Sequence, residues 1–278
     1  MDKVKILVAC HKPYDGYRDD VYTPIHVGRA ISRFKEEMAD MIGDDTGDNI
    51  SEKNLQYCEL TAQYWAWKNL HDVEYVGFCH YRRFFNISKT KLKNKLRYCD
   101  VIALKRHDFL PMYWEIVRYI SLEHLTILLM VIKKKFPEYE KTMVEYLNGN
   151  IFYHKNMLIC KKELFDDYAK WLFDILFECE KNMKHVPYSR LERSLAYMGE
   201  YLMPVYMMHN NIKISFVGYN DSPNHIKKIN TLRTHMGNFR RDVIHFLVSH
   251  SDREFPKSLE DFIFEPVIVG FKQDNINI

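Results

Sequence analysis

Two arginines follow a short apolar run in this chain, in the tract His80-Tyr81-Arg82-Arg83. The run itself, Tyr75–Cys79, is typical of a buried strand, and ligands of α/β folds bind where strands end. Arg holds phosphate oxygens through paired hydrogen bonds, so two Arg beside a His and a Tyr predict an anion site that needs no metal. The alternative is an arginine pair on a solvated loop, which is where Arg ordinarily lies.

A second polar strand end lies near the N-terminus. Val4–Cys10 is apolar and β-branched, which predicts a buried first strand, and His11, Lys12 and Pro13 follow it. This is again a position at which α/β proteins bind ligands. The alternative for His11 and Lys12 is an ordinary surface loop.

The remaining pattern alternates helices with strands. Apolar residues at helical spacing and strong helix formers predict a helix over Gln56–Leu70. Further strands are predicted at Val101–Leu104, Asn156–Cys160 and Ile212–Val217, and further helices at Met112–Lys135, Lys161–Lys181 and Arg190–His209. Alternation of this kind predicts an α/β fold with a mostly parallel sheet flanked by helices.

Two helical segments combine apolar and basic residues. Ser121–Ile132 is almost continuously apolar and precedes three lysines, but it is too short to span a bilayer. Leu232–His250 interleaves arginines with Met, Phe, Val, Ile and Leu. A buried core helix is the first interpretation of Ser121–Ile132, and an interfacial helix facing anionic lipid headgroups is the alternative for both segments.

Composition excludes several classes of protein. A net charge of +3 over 278 residues is too small for a nucleic-acid-binding footprint. The six cysteines form no Cys-x-x-Cys pair and the N-terminus has no apolar signal segment, so we expect reduced thiols and a cytoplasmic location. The nucleophile elbow, the dinucleotide-binding glycine motif and the P-loop are all absent.

Four collinear segments carry a resemblance to a known family: Ala9–Pro13, Asp44–Asn54, Tyr57–Asn69 and Gly77–Phe85. Together they resemble a bacterial family of capsular and exopolysaccharide glycosyltransferases that was long labelled a domain of unknown function. The resemblance is dense over roughly the first 90 residues and looser to the helix of Gly199 and Glu200.

The resemblance implies a GT-A-like, Rossmann-related fold and transfer of a hexosyl group from a UDP-sugar. Some members are similar to β-galactofuranosyltransferases, which makes UDP-galactofuranose a plausible donor. The implied acceptor is a glycan of capsule, O-antigen or exopolysaccharide, carried on a lipid at the inner face of the cytoplasmic membrane. We interpret residues 1–278 as a single domain, with a nucleotide-sugar-binding half at 1–110 and an acceptor half at 111–278.

This sequence departs from the GT-A pattern at one point. GT-A strands of this kind end in an Asp-x-Asp motif that holds a divalent metal on the diphosphate, whereas here His80, Tyr81 and Arg82 stand there. Leaving UDP gains negative charge, which fixed cations can stabilise instead of a metal. We therefore predict metal-independent catalysis, with Arg82 and Arg83, together with His11 and Lys12 from the first strand end, as a cationic cradle for the donor. Mn²⁺ or Mg²⁺ is the less favoured alternative.

Roles for acidic residues follow from the same resemblance. An inverting transferase needs a general base, and Glu200 resembles the carboxylate that GT-A enzymes place on a helix near the acceptor. Its alternative is an exposed helical Glu. Asp48 and Asp45 are the alternatives for the base, but their carboxylates are better suited to ribose or sugar diols. We assign them, with Asn49 and Lys53 of the same segment, to the donor site. The rival function is a non-catalytic protein that binds a nucleotide-sugar or glycan in a polysaccharide locus.

Overall fold

The computed structural model describes residues 3–184, 187, 189–221 and 231–249. Within these residues the strands are β1 (Val4–Cys10), β2 (Tyr22–His26), β3 (Ile42–Gly43), β4 (Tyr75–His80), β5 (Phe84–Phe85), β6 (Val101–Ala103), β7 (Arg106–His107), β8 (Ile151–Phe152), β9 (Leu158–Lys161), β10 (Ile214–Phe216) and β11 (Tyr219–Asn220). The α-helices are α1 (Asn54–Tyr57), α2 (Leu60–Asn69), α3 (Lys89–Leu96), α4 (Met112–Ile116), α5 (Leu122–Lys135), α6 (Glu140–Asn148), α7 (Lys162–Asn182), α8 (Ser194–His209) and α9 (Thr231–Ser249).

A seven-stranded sheet organises the fold, in the order β10-β6-β9-β4-β1-β2-β3. Every neighbouring pair is parallel except the two that involve β9, which runs antiparallel between β4 and β6. The mostly parallel α/β sheet predicted from the sequence is therefore confirmed. Ala9 of β1 pairs with His80 of β4, so the two polar strand ends lie side by side.

The two faces of the sheet support two apolar clusters. Leu7 and Ala9 of β1 face the larger cluster, which includes residues of α2, α5, α7 and α8. Ile6 and Val8 alternate to the other face, where Phe84 and Phe85 are buried. This alternation is the period of two that a strand imposes on its side chains. Both faces of β1 are thus covered, as its continuous apolar run requires.

Two predicted helices are interrupted in the structure. The helix expected over Gln56–Leu70 breaks at Cys58, whose φ of 48° lies in the left-handed region. There the Asn54 side-chain amide donates to the Cys58 carbonyl at 2.7 Å and closes the first turn. The region Met112–Lys135 likewise forms two helices, because the Ser121 hydroxyl accepts a hydrogen bond from the His124 N–H and starts α5 anew.

Helix α5 is a core helix. Leu125, Leu128, Leu129 and Ile132 are fully buried, which confirms the first interpretation of this apolar segment. No helix among the residues that the structure describes is long and apolar enough to cross a membrane. The other segment, Leu232–His250, forms most of α9, and its last residue, His250, lies outside the described residues.

Candidate functional site

A pocket of about 350 Å³ opens beside the C-terminal end of β4. It is lined by Cys58, Glu59, His80, Arg83, Arg106, Tyr119, Phe152, His154, Lys155, Arg193, Ala196, Tyr197, Glu200 and Tyr201. The wall of the pocket comes from five places in the fold: strand β4, the α1–α2 junction, the antiparallel strand pair β7–β8, the β8–β9 loop and the start of α8. The pocket therefore combines residues of both predicted halves of the chain.

The His80–Arg83 tract folds as a tight turn at the pocket edge. The Arg83 N–H donates to the His80 carbonyl at 2.8 Å, and the His80 N–H donates to the Arg83 carbonyl at 3.2 Å. His80 and Arg83 line the pocket. Tyr81 instead turns toward the end of β1, where its N–H donates to the Ala9 carbonyl. The turn thus divides the predicted anion-binding tract into two parts.

Three other predicted site residues, His11, Lys12 and Arg82, lie around the ring of Tyr81. The His11 ring meets it edge-on at 5.3 Å between centroids, and the Lys12 ammonium and the Arg82 guanidinium lie 5.8 and 4.9 Å from its centre. Burial lowers the pKa of His11, and the charges of Lys12, Arg193 and Arg82 lower it further. Arg193, whose charge acts on His11, lines the pocket, whereas His11, Lys12, Tyr81 and Arg82 do not.

A strained loop holds the two carboxylates of the pocket. Lys155 and Asn156 both have left-handed backbones, with φ of 73° and 51°. The Lys155 N–H donates to Glu200 Oε2 at 2.6 Å, and the Asn156 side-chain amide donates to Glu59 Oε1 at 2.8 Å. Such conformations cost non-glycine residues about 1–3 kcal/mol each and persist where surrounding contacts fix them, as at ligand sites.

Further contacts fix the same loop from two sides. The Lys155 carbonyl lies 2.8 Å from His80 Nε2, and the Asn156 carbonyl accepts a hydrogen bond from the Gln63 side-chain amide at 3.0 Å. Asn156 is almost fully buried. The end of β4 and helix α2 therefore hold the backbone that positions Glu59 and Glu200.

Glu200 is the predicted catalytic residue, and it lies in this pocket on α8. Burial and, after it, the negative charge of Glu59 raise the pKa of Glu200 to about 7, against the opposing effects of the Lys155 N–H and of the charges of Lys155 and Arg83. Such a carboxyl group exchanges a proton near neutral pH, which suits a general base. Helix α8 approaches α2 closely, since a Cβ on Gly199 would lie 2.7 Å from Leu60 Cδ1.

Several cations surround these carboxylates. Arg106 forms ion pairs with Asp108 and Glu115. Arg83, Lys155 and Arg193 have no ion pair in the part of the chain that the structure describes. Their charges are available to a bound anion.

The nearby basic groups respond to this crowding. Burial lowers the pKa of His154 to about 3, and Lys155, Arg106 and Arg83 add to the effect, so the His154 ring is neutral at physiological pH. Burial, followed by the charge of Arg83, lowers the pKa of Lys155. An anion bound between Arg83 and Lys155 would relieve their mutual repulsion.

The polar segment Asp44–Asn54 lies elsewhere. Asp45 contacts Arg29 at 3.5 Å, Asp48 accepts from the Tyr64 hydroxyl at 3.0 Å, and Lys53 pairs with Glu180 at 2.7 Å. Asn49 bonds within the segment, to the Gly47 carbonyl and the Ser51 N–H. The structure does not bring these four predicted donor-binding side chains to the pocket. Their contacts are with Arg29, with the backbone of the segment itself, and with helices α2 and α7.

Five pocket residues with a carboxylate or a basic side chain were not predicted from the sequence: Glu59, Arg106, His154, Lys155 and Arg193. Glu59 lies inside the Tyr57–Asn69 segment, which carried the family resemblance without suggesting a role for this residue. Arg106, His154, Lys155 and Arg193 stand in segments with no recognisable motif. Only their convergence in space identifies them.

The pocket does not fit a divalent metal ion of the GT-A kind. His80 and Arg83 stand at the strand end, and the carboxylates of Glu59 and Glu200 already accept hydrogen bonds from the Lys155–Asn156 loop. Arg83 and Lys155 add positive charge, which repels a cation. Among the described residues, no three His, Cys, Asp or Glu side chains are grouped to hold a metal ion.

Residues 5–211 match the family model described as "Domain of unknown function (DUF4422)". A search of curated proteins finds no match. The resemblance to that family therefore extends beyond the four segments that first suggested it, and it includes every residue that lines the pocket.

Two solved structures are similar. The apo structure of the bifunctional glycosyltransferase WbbM is 26% identical, with a TM-score of 0.71 over 80% of this chain and 45% of that one. Core-mannan synthase A from Aspergillus fumigatus, in its Mn/GDP form, is 12% identical over 82% of this chain and 79% of that one. Its TM-score of 0.35 is too low to support an inference. The match to WbbM confirms the GT-A-like fold, and this chain spans less than half of that protein.

Proposed function

This chain belongs to the DUF4422 family, and from that premise we propose that it is an inverting glycosyltransferase that moves a hexosyl group from a UDP-sugar to a glycan. The single observation that supports this most strongly is Glu200. Its carboxylate lies in a pocket at the end of β4, with a pKa of about 7, beside three cations that have no ion pair among the described residues. The pocket thus pairs a general base with an anion site.

The cations account for donor binding. Arg83 and Lys155 stabilise the diphosphate oxygens and the charge that grows on UDP as it leaves. Arg193 in the pocket, and Lys12 and Arg82 beside the Tyr81 ring, supply further positive charge. Fixed cations take the part that a metal has in many GT-A enzymes, and we propose that catalysis is metal-independent.

Glu200 accounts for activation of the acceptor. Oε2 is held by the Lys155 N–H, while Oε1 has no hydrogen-bond partner among the described residues. The acceptor hydroxyl gives its proton to Glu200 as its oxygen forms a bond to the anomeric carbon. The bond from that carbon to the diphosphate breaks in the same step, and UDP leaves with the electron pair. Attack opposite the leaving group inverts the anomeric centre.

The finer assignment follows the family resemblance. We propose galactofuranose as the transferred sugar, and a lipid-linked glycan of capsule, O-antigen or exopolysaccharide synthesis as the acceptor. The second candidate is a non-catalytic nucleotide-sugar-binding protein, which the replacement of Asp-x-Asp by His80-Tyr81-Arg82 favours. It would bind UDP through the same cations without releasing it from a donor.

A UDP-release assay tests the proposal. The full chain is incubated with a panel of UDP-sugars, including UDP-galactofuranose generated in situ, and with mixed glycan acceptors, once in excess EDTA and once with Mn²⁺. We expect turnover with one donor that survives EDTA and is lost in Glu200→Gln. Turnover that requires Mn²⁺ would contradict the cationic cradle. UDP binding without turnover under any condition would favour the binding protein.

A further inference from the structure

Among the residues that the structure describes, helix α9 has a row of exposed apolar side chains. Phe239 is 71% exposed, and Met236 and Leu247 are each 64% exposed. Val243 and Phe246 are exposed as well. These five residues recur at intervals of three and four, so they lie on one side of the helix. Contiguous apolar surface of this kind marks an interaction site in a soluble fold.

Two other residues of α9, Asp242 and Arg241, contact the rest of the domain. Asp242 Oδ1 lies 2.7 Å from His107 Nδ1 and accepts from the Asn150 side-chain amide at 2.9 Å. The Arg241 guanidinium lies 5.3 Å from the centre of the Phe109 ring. These contacts fasten the helix to the antiparallel strand pair β7–β8 and to the residues that flank it.

The charge of α9 suits an anionic surface. Its basic residues are Arg233, Arg240 and Arg241, and its one acid, Asp242, is engaged by His107 and Asn150. At the helical period of 100° per residue, Arg233 and Arg240 border the apolar side. An exposed apolar stripe with arginines at its edge is the composition of helices that lie in a membrane interface.

Helix α5 provides the contrast. Its sequence suggested the same behaviour, but its apolar residues are buried and two of its lysines, Lys134 and Lys135, pair with Glu178 and Asp174 of α7. Of these two helices, as far as the structure describes them, α9 alone combines an exposed apolar side with arginines at its border.

We propose that α9 docks this protein on an anionic lipid bilayer, with Met236, Phe239, Val243 and Leu247 among the acyl chains and Arg240 at the headgroups. The β7–β8 strand pair, to which α9 is fastened, also supplies Arg106 and Phe152 to the pocket, and Ile151 of β8 and the nearby Phe109 are exposed. Docking through α9 therefore brings the pocket close to the membrane surface, where lipid-carried acceptors lie. The docking itself does not depend on glycosyl transfer.

Flotation with lipid vesicles tests the proposal. The full chain is mixed with vesicles of phosphatidylcholine alone or of phosphatidylcholine and phosphatidylglycerol. We expect binding to the anionic vesicles only, and a loss of about tenfold or more in Phe239→Ser/Leu247→Ser, because two buried apolar side chains are removed from the interface. Arg240→Glu should weaken binding to the anionic vesicles as well.

Controls separate docking from folding and from catalysis. Tyr98→Ser removes an aromatic side chain that is 74% exposed on another surface and should leave vesicle binding unchanged. Thermal unfolding of each variant checks that it folds. Glu200→Gln should bind vesicles normally even though it cannot transfer a sugar. The proposal would be overturned if the unmodified chain did not bind vesicles, or if Phe239→Ser/Leu247→Ser bound them equally well. It would also be overturned if the unmodified chain were a dimer in solution and this variant a monomer, because the apolar side of α9 would then be a subunit interface.

Discussion

Glu59 and Glu200 face one pocket and are held by adjacent residues, Glu59 by the Asn156 side-chain amide and Glu200 by the Lys155 N–H. The negative charge of Glu59 raises the pKa of Glu200, in addition to the effect of burial. A single strained loop thus fixes the separation of the two carboxylates. The acid–base properties of Glu200 depend on that loop.

Replacement of Glu200 by Gln should abolish transfer while leaving UDP binding intact. The amide keeps the shape of the side chain but cannot take the acceptor proton, so we expect kcat to fall roughly 100- to 10,000-fold. UDP affinity, measured by titration calorimetry, should change little, because the carboxylate does not bind the diphosphate. Normal turnover by Glu200→Gln would remove Glu200 from the mechanism.

The pH dependence of kcat/KM should report the pKa of Glu200. A general base must be ionised, so activity should fall as the pH drops below about 7, the raised pKa of this carboxyl group. Glu59→Gln removes a neighbouring negative charge and keeps the oxygen that accepts from Asn156. We therefore expect its acid limb to shift to lower pH. A profile that Glu59→Gln leaves in place would show that Glu59 does not act on the base.

Arg83→Ala and Lys155→Ala should each weaken UDP binding. A charge-assisted hydrogen bond contributes about 1.5–3 kcal/mol, which corresponds to roughly 10- to 150-fold in Kd. Arg82→Ala should also weaken UDP binding, by a smaller factor, because Arg82 contacts Tyr81 and does not line the pocket.

Lys170→Ala is the matched control for these variants, since Lys170 is an exposed cation on α7. Its UDP affinity should equal that of the unmodified chain. If the UDP affinity is unchanged in Arg82→Ala, Arg83→Ala and Lys155→Ala alike, the His80–Arg83 tract and the Lys155–Asn156 loop do not bind UDP and have a structural role.

Asp44→Ala should destabilise the fold without a specific effect on the donor. The buried Asp44 carboxylate accepts hydrogen bonds from the Gly28 N–H, the Arg29 N–H and the Ser51 hydroxyl. Loss of these partners leaves buried donors unsatisfied, and we expect the free energy of unfolding in urea to fall by about 3 kcal/mol. Asp45→Ala breaks only a partly exposed ion pair and should cost less than about 1 kcal/mol. Equal losses in the two variants would contradict this account of the segment.

Much of the fold was predictable because its determinants are local. The apolar, β-branched runs of β1 and β4 specify buried strands within a few residues of chain, and the polar residues after them mark the strand ends. The alternation of strands and helices then favours a parallel sheet. Where local signals conflict, the boundaries were wrong, as at Cys58, where a side-chain hydrogen bond from Asn54 ends a helix that the apolar spacing would continue.

The sequence alone therefore determined five of the seven strands of the sheet and the polar ends of β1 and β4, and the family resemblance suggested Glu200 as the base. The tertiary structure decided the partners of these residues. Glu59 and Asn156 are separated by 97 residues, and Lys53 and Glu180 by 127, and no periodicity within one element encodes such contacts. The tertiary structure also distinguished α5 from α9, two helices of similar apolar and basic composition, by burying the apolar side of one and exposing that of the other. The physical reason is that apolar spacing specifies which side of a helix is apolar, whereas burial of that side depends on which distant segments pack against it.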